Sequence, residues 1–381
     1  NFCLFYSWIL ISAGNMTKAE ELLITAEKIV SEILINNESV EDQFEYKVLL
    51  GKISVAFAYL LSSTGKIDRI FHYCEQAKSN LSDEEPLWYS WVWFSFGVAN
   101  ITIGELEQGT RSFQKALKYG KKSENLYLIA TTVIRIAYSK LRLGLFKSAY
   151  KNINELLTFV EKGGYSQMTK SEWTYAGLYS ILAYIQFMWN EIDNAVKNAK
   201  IGYVLSKKGK DITLVVFNTI VYAKTLIKQG DSIVAAKIID ELDNMMQSKQ
   251  IPYYLFLSLS AWKIDILINQ NQIEKASGLI DNLDLGEDKK KTYANELIYI
   301  AYSRYLITIF ELAEAKRILL QLLPPAIEGK RIERVIEINN LLAIQHKLVG
   351  ESEKAISYLS EAILLASDEN LIMFFILEGD N

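Results

Sequence analysis

The chain has 381 residues, half of them hydrophobic, and a formal charge of −4. That is enough apolar material for a large core, and the acidic balance argues against a general nucleic-acid surface, which needs a basic excess. Two cysteines, Cys3 and Cys74, fit free thiols in a reducing cytoplasm better than a disulfide scaffold, so a cytoplasmic location is expected.

The first twelve residues, NFCLFYSWILIS, have the apolar density of a signal sequence but neither its basic flank nor its small-residue cleavage site. The apolar run ends near Ala13 and is too short to span a bilayer, so no membrane contact is expected. With Asn1 rather than Met at its start, it reads as a core helix of a chain cut from a longer protein.

From there one six-residue pattern recurs. It is GNMTKA at 14, GKIDRI at 65, GELEQG at 104, GLFKSA at 144, NEIDNA at 190, GDSIVA at 230, NQIEKA at 271, FELAEA at 310 and GESEKA at 350. Most starts lie 39 to 41 residues apart; the exceptions are 51 between the first two and 46 between Gly144 and Asn190. A period near 40 predicts a solenoid of stacked helix pairs. Seven residues before each turn stands a small side chain: Ser7, Ala58, Gly97, Ala137, Ala183, Ala223, Ser303 and Ala343, with Ile264 the exception. Small residues on both sides of a turn let two helices cross closely, and Gly or Asn in the turn tolerates the left-handed backbone that ends a helix. Several units add a further small residue, Ala26, Ala77, Ala116 and Ala362. In the last unit Ala355, Ile356, Leu359, Ala362 and Ile363 share one helical face.

This spacing resembles the tetratricopeptide repeat, with units longer than that family's usual 34 residues. The expected fold is all-α: a right-handed superhelix of about nine antiparallel helix pairs, about eighteen helices without a sheet, in one domain over residues 1–381. In tetratricopeptide pairs the first helix lines the concave surface. One lining stripe then falls just after the small residue, at Tyr59, Val98, Tyr138, Tyr184, Lys224, Asp265, Arg304 and Ile344. The WYSWVWF run at 88–94 adds Trp91 on the adjacent stripe, while Trp93 takes the place of a packing tryptophan and is expected in the core. Trp91, Tyr138, Tyr184, Lys224, Asp265 and Arg304 are the candidate ligand-binding residues. Two readings of the charged ones stay open. They pair with one another, or they supply hydrogen bonds in a groove with aromatic platforms, suited to an oligosaccharide or a peptide.

Nothing in the sequence carries catalysis. His72 and His346 are the only histidines; they lie on distant units and are expected to be surface or packing residues. Acidic pairs such as Glu84–Glu85 are common on solvated helix faces. STGK at 63–66 lacks the first glycine of a phosphate loop, since residue 60 is leucine, and Ile67 fills the Ser/Thr slot. No catalytic residue, metal ligand or cofactor is expected, and the chain reads as a non-enzyme.

A narrower resemblance lies in LAYIQFMWNEIDNAVKNAKIGYVLSKKGK at 182–210 and in FFILEG at 374–379. Both stretches resemble the helical sensor arm of the large ATP-dependent LuxR-type regulators of the MalT type; Leu377 stands where many members have Asp. The resemblance implies a sensor arm that receives a small-molecule inducer, with an ATPase before it and a helix-turn-helix after it. It also implies ligand-driven self-association and control of promoter activation. DNA contact would belong to the other module, so tight DNA binding by this segment is not expected. A free-standing scaffold or peptide receptor for a protein partner is the alternative, and a helical enzyme domain is a third reading.

Overall fold

The computed structural model describes residues 1–12, 15–36, 39–64, 67–82, 84–162, 175–209, 211–247, 251, 253–283, 285 and 291–379. Their regular secondary structure is entirely helical. The helices fall in pairs: α1 (Phe2–Ser12) with α2 (Met16–Asn36), α3 (Val40–Thr64) with α4 (Ile67–Asn80), α5 (Pro86–Thr102) with α6 (Leu106–Lys122), and α7 (Leu126–Arg142) with α8 (Phe146–Glu161). They continue with α9 (Ala176–Met188) and α10 (Ile192–Ser206), α11 (Ile212–Gln229) and α12 (Ser232–Gln247), α13 (Tyr253–Asn269) and α14 (Ile273–Asp281), α15 (Glu296–Thr308) and α16 (Leu312–Glu328), and α17 (Ile332–Leu348) and α18 (Ser352–Ser367). A one-turn helix, α19 (Met373–Ile376), follows. The architecture is the expected tetratricopeptide-like array of nine pairs, with α19 in addition.

One turn geometry ends the first helix of pair after pair. At Gly104 the backbone N–H donates to the Ile101 carbonyl at 3.0 Å, and the next N–H, of Glu105, reaches back to the Asn100 carbonyl at 2.9 Å. These two bonds satisfy carbonyls that the helix leaves over, and they require a left-handed residue. The same pair of bonds recurs at Gly144, Asn190, Gly230, Asn271, Phe310 and Gly350, all with positive φ. The turns expected at Gly14 and Gly65, with Gly65 and Lys66 of the STGK stretch, lie outside the described residues.

Phe310 is the odd member. It holds a φ of 63° without being Gly or Asn, and its side chain is 71% exposed. A left-handed L-residue costs about 1–2 kcal/mol, and the added chain entropy of glycine returns about 0.5–1 of that. Phe310→Gly is therefore expected to raise stability by somewhat less than about 1 kcal/mol, seen as a higher urea midpoint. A lower midpoint would mean that the exposed ring makes contacts worth more than the strain.

Helix pairing follows from the small residues. A Cβ on Gly97 would lie 2.4 Å from Cε1 of Phe113, and one on Gly109 would lie 2.7 Å from Ile101. Each contact joins residues equally far on either side of Glu105, which makes α5 and α6 antiparallel. Ala58, Ala137, Ala183, Ala223, Ser303 and Ala343 are buried, and so are Ala19, Ala149, Ala195, Ala235, Ala276 and Ala315 across the turns. On α18 only Ala362 and Ala366 are buried. Ile356, Ile363 and Leu364 are exposed there, because no further pair covers that face among the described residues. Nor, among those residues, is any helix long and apolar enough to cross a membrane.

The chain forms two compact units. One comprises Asn1–Ser139 with Glu155–Thr169, the other Lys140–Asn154 with Lys170–Asn381. In the first, α1 to α6 pack around a core that includes Phe57, Tyr73, Trp91, Phe94 and Phe113. In the second, the apolar centres are built on α11 to α13 around Leu226, Leu259 and Trp262, and on α13 to α17 around Tyr299, Leu319 and Leu342.

Candidate functional site

The residue after each small position has a distinctive environment. Trp8, Tyr59, Val98, Tyr138, Tyr184, Lys224, Asp265, Arg304 and Ile344 are all half-buried, while the residue before each of them is buried. The small residue sits against the partner helix, and a step of about 100° along the first helix brings the next side chain to the edge of the packed face.

In the first unit this edge is aromatic and closed. Trp8 stacks on Tyr59 at 5.2 Å between ring centres and meets Trp91 at 5.4 Å, and Tyr59 and Trp91 are 4.7 Å apart. Trp91 also packs edge-on against Phe94 and is only 8% exposed, so it belongs to the core. Trp93, expected in the core, is half-buried instead. Its ring packs on Phe96 at 5.4 Å, with the Lys115 ammonium 3.9 Å from its centre. Two residues apart on a helix point about 200° apart, so one indole faces inward and the other takes a cation–π contact at the rim.

In the second unit the edge is charged. Arg304 on α15 binds Asp265 of α13 at 2.6 Å, Glu337 of α17 at 3.2 Å and Glu378 beyond α19 at 2.8 Å. Glu337 also holds Arg334 at 2.6 Å, and Arg334 approaches Glu296 at 3.6 Å, which pairs with Arg331 at 2.9 Å. Arg334 lies 3.8 Å from Glu333 as well. Glu333 accepts Arg142 at 2.6 Å and the Tyr184 hydroxyl at 2.6 Å. Four arginines and five carboxylates are thus linked directly, and Lys224 of α11 completes a five-to-five balance.

Burial is what makes this network costly. It pushes the carboxyls of Asp265, Glu378 and Glu296 above the usual carboxylate range, although neighbouring arginines pull them down. Burial, and then the Glu333 carboxylate, push the Tyr184 phenol well above its ordinary value. Lys224 is moved the other way: desolvation lowers its ammonium against the pull of Asp265 and Glu337. Among the described residues Lys224 has no direct hydrogen-bond or ion-pair partner, because Arg304 takes both of those carboxylates. Elsewhere His346 is buried and bonded to Glu351 at 2.5 Å, and His72 is exposed.

The model of one protein family, the MalT-like TPR (tetratricopeptide repeat) region, matches residues 51–381. The chain belongs to that family. No match was found among curated proteins. Among solved structures, this MalT-like TPR chain is similar to a Rap protein complexed with Competence and Sporulation Factor, at 12% identity and a TM-score of 0.67 over 97% of each chain. It is similar also to NprR in complex with its cognate peptide NprX, at 15% identity and a TM-score of 0.61, over 96% of this chain and 98% of that one. The apo form of RapI gives 14% identity and a TM-score of 0.56, over 96% and 97%. At such identities the likeness is one of fold.

Of the six candidates read from the MalT-like TPR sequence, Tyr184, Lys224, Asp265 and Arg304 meet in the second unit, around the same carboxylates. Trp91 and Tyr138 belong to the first. Of the two readings of the charges, mutual pairing holds for Asp265 and Arg304, and Lys224 is left over among the described residues. Trp8 was missed, although the rule that found Tyr59 points to it from Ser7. Glu333 and Glu337 were missed too, yet their helical spacing before Ile344 marks them as the same stripe. No sequence signal brings Glu378 to Arg304.

Proposed function

We propose that this MalT-like TPR chain is the non-catalytic, cytoplasmic sensing arm of a LuxR-type transcription regulator, with its inducer bound at the charged edge of the second unit. Lys224 carries the reading. A half-buried ammonium without a direct partner is expensive to keep, and a ligand carbonyl or carboxylate supplies what the fold withholds. Tyr184, Asp265 and Arg304 around it give the site a polar wall. The NprR complex with its cognate peptide favours a peptide-like inducer over an oligosaccharide. The same likeness favours, as the second reading, a free-standing peptide receptor; an ATPase reading frame upstream and a helix-turn-helix downstream would decide for the regulator.

The site is tested with Lys224→Met. A structural lysine would be missed on its removal, whereas here no hydrogen bond or ion pair among the described residues is lost and the apolar stem is kept. Its melting temperature is expected to stay level or rise. In calorimetry against a panel of short peptides and maltodextrins, affinity for the ligand found with the wild type is expected to drop at least about tenfold, as for a charge-assisted hydrogen bond. Binding of an anionic ligand should weaken as pH rises through the lowered value of Lys224, because the charged form is then lost. A ligand bound equally well by the variant would reject the assignment.

A further inference from the structure

Arg304 holds three carboxylates, and they are anchored very differently. Asp265 and Glu337 come from long packed helices. Glu378 comes from a strap: the single turn of α19 and the three residues after it. A four-residue helix has no stability of its own. The strap is held by the buried side chains of Met373 and Phe374, by a hydrogen bond of 3.0 Å from the Asn340 amide to the Phe374 carbonyl, and by Glu378. The Glu378 carboxylate takes Arg304 with both oxygens, accepting from Nε at 3.1 and 3.2 Å and from Nη2 at 2.8 Å. Its side chain is 12% exposed. With Glu378 in place the charges balance. Without it the cluster has one positive charge in excess, shared between Arg304 and the unpartnered Lys224.

We infer that Glu378 occupies a carboxylate-recognition position, and that the strap is a built-in competitor which a peptide bearing apolar residues followed by a carboxylate displaces. This rests on the binding site proposed above and adds its ligand chemistry and its regulation. A forked contact on a guanidinium is selective for a carboxylate, and two apolar side chains ahead of it fill the space that Met373 and Phe374 fill. The bound segment and the ligand are then alternatives, and the strap's own docking energy lowers the apparent affinity.

The full chain and its Glu378→Gln variant test this in two ways. First, amide hydrogen exchange over residues 373–379 is expected to be at least tenfold faster in the variant, with α15 and α17 unchanged. Asn340→Ala, which leaves every charge in place, should shift the same segment in the same direction. Unchanged exchange in both variants would overturn the strap. Second, three fluorescent peptides carrying a lysine tail for solubility are titrated: MFFILEG amidated, MFFILQG amidated, and MFFILQG with a free terminal carboxylate. Glu378→Gln is expected to bind at least one carboxylate-bearing peptide ten or more times tighter than the neutral one, and tighter than the wild type does; which of the two it prefers separates an acidic side chain from a chain terminus. Equal binding of all three, or no binding, would overturn carboxylate competition even where the strap is loosened. Carboxylate-selective binding that Lys224→Met leaves untouched would reject the preceding site assignment while the strap stands.

Discussion

Arg304→Met is expected to destabilise the second unit by about 3 kcal/mol, the lower end of the range for breaking a buried ion pair. The arginine is 16% exposed and is the direct partner of Asp265, Glu337 and Glu378. Methionine keeps most of the stem, so the loss is electrostatic. The three acids are not equally stranded. Glu337 keeps Arg334, and Glu378 can reach water if the strap lifts. Asp265, near the C-terminal end of α13, has no second direct ion pair among the described residues and keeps only the longer-range pull of Lys224, so it carries most of the effect. The deficit should depend on pH in a defined direction. Burial already raises Asp265 and Glu378 above their unfolded values with Arg304 present, and removing the arginine raises them further. A carboxyl whose folded value is raised destabilises above that value and ceases to do so once protonated. The gap between variant and wild type should therefore be full at neutral pH and shrink as pH falls toward the carboxylate range. A pH-independent gap in urea unfolding would mean that lost packing, not stranded charge, is responsible.

Gly97→Leu is expected to destabilise the first unit by roughly 3 kcal/mol, at or beyond the top of the usual range for overpacking. A single Cβ already lies 2.4 Å from the Phe113 ring, and Phe113 is 1% exposed, with no space to turn into. Relief requires α5 and α6 to separate, which uncovers Ala116 and Phe94 in the same layer. Trp8, Trp88, Trp91 and Trp93 all lie in this unit, so tryptophan emission is the natural probe. Gly97→Ala should fall between wild type and Gly97→Leu. A Leu variant with the wild-type midpoint would show that the helix crossing tolerates several ångströms of play.

These two sites differ in how far the sequence announces them. Gly97 is legible because its cause is local: a missing side chain, seven residues before a turn, in a pattern the chain repeats. The turns are legible for the same reason, except that Phe310 accepts a left-handed backbone its residue type does not favour. The lining stripe is also local, one step past the small residue, and the structure keeps it half-buried at each place. What the stripe touches is another matter. Arg304 finds Asp265 one pair earlier but Glu378 some seventy residues later, and no periodicity predicts a contact with a segment outside the repeats. The exchange of roles between Trp91 and Trp93 has a similar origin. Both are apolar on one helix, and only the neighbours, aromatic rings for one and Lys115 for the other, decide which is covered. The division into two compact units leaves no mark in composition.

The half-buried position also governs how such a frame changes the surface it displays. Where it holds an isolated ring or aliphatic chain, as at Val98 and Ile344, a new side chain alters the displayed surface and leaves the helix crossings intact. Asp265 and Arg304 do not have that freedom. Asp265 is tied to Arg304, and Arg304 also to Glu337 and Glu378, so a change at one is felt at the rest, and a neutral or inverted pair has to arrive together. Change in the displayed surface along this chain is therefore gradual through the aromatic and aliphatic positions and stepwise through the paired ionic ones. The tetratricopeptide frame itself, fixed by small residues and turns, persists among structures that share as little as 12% of their residues with it.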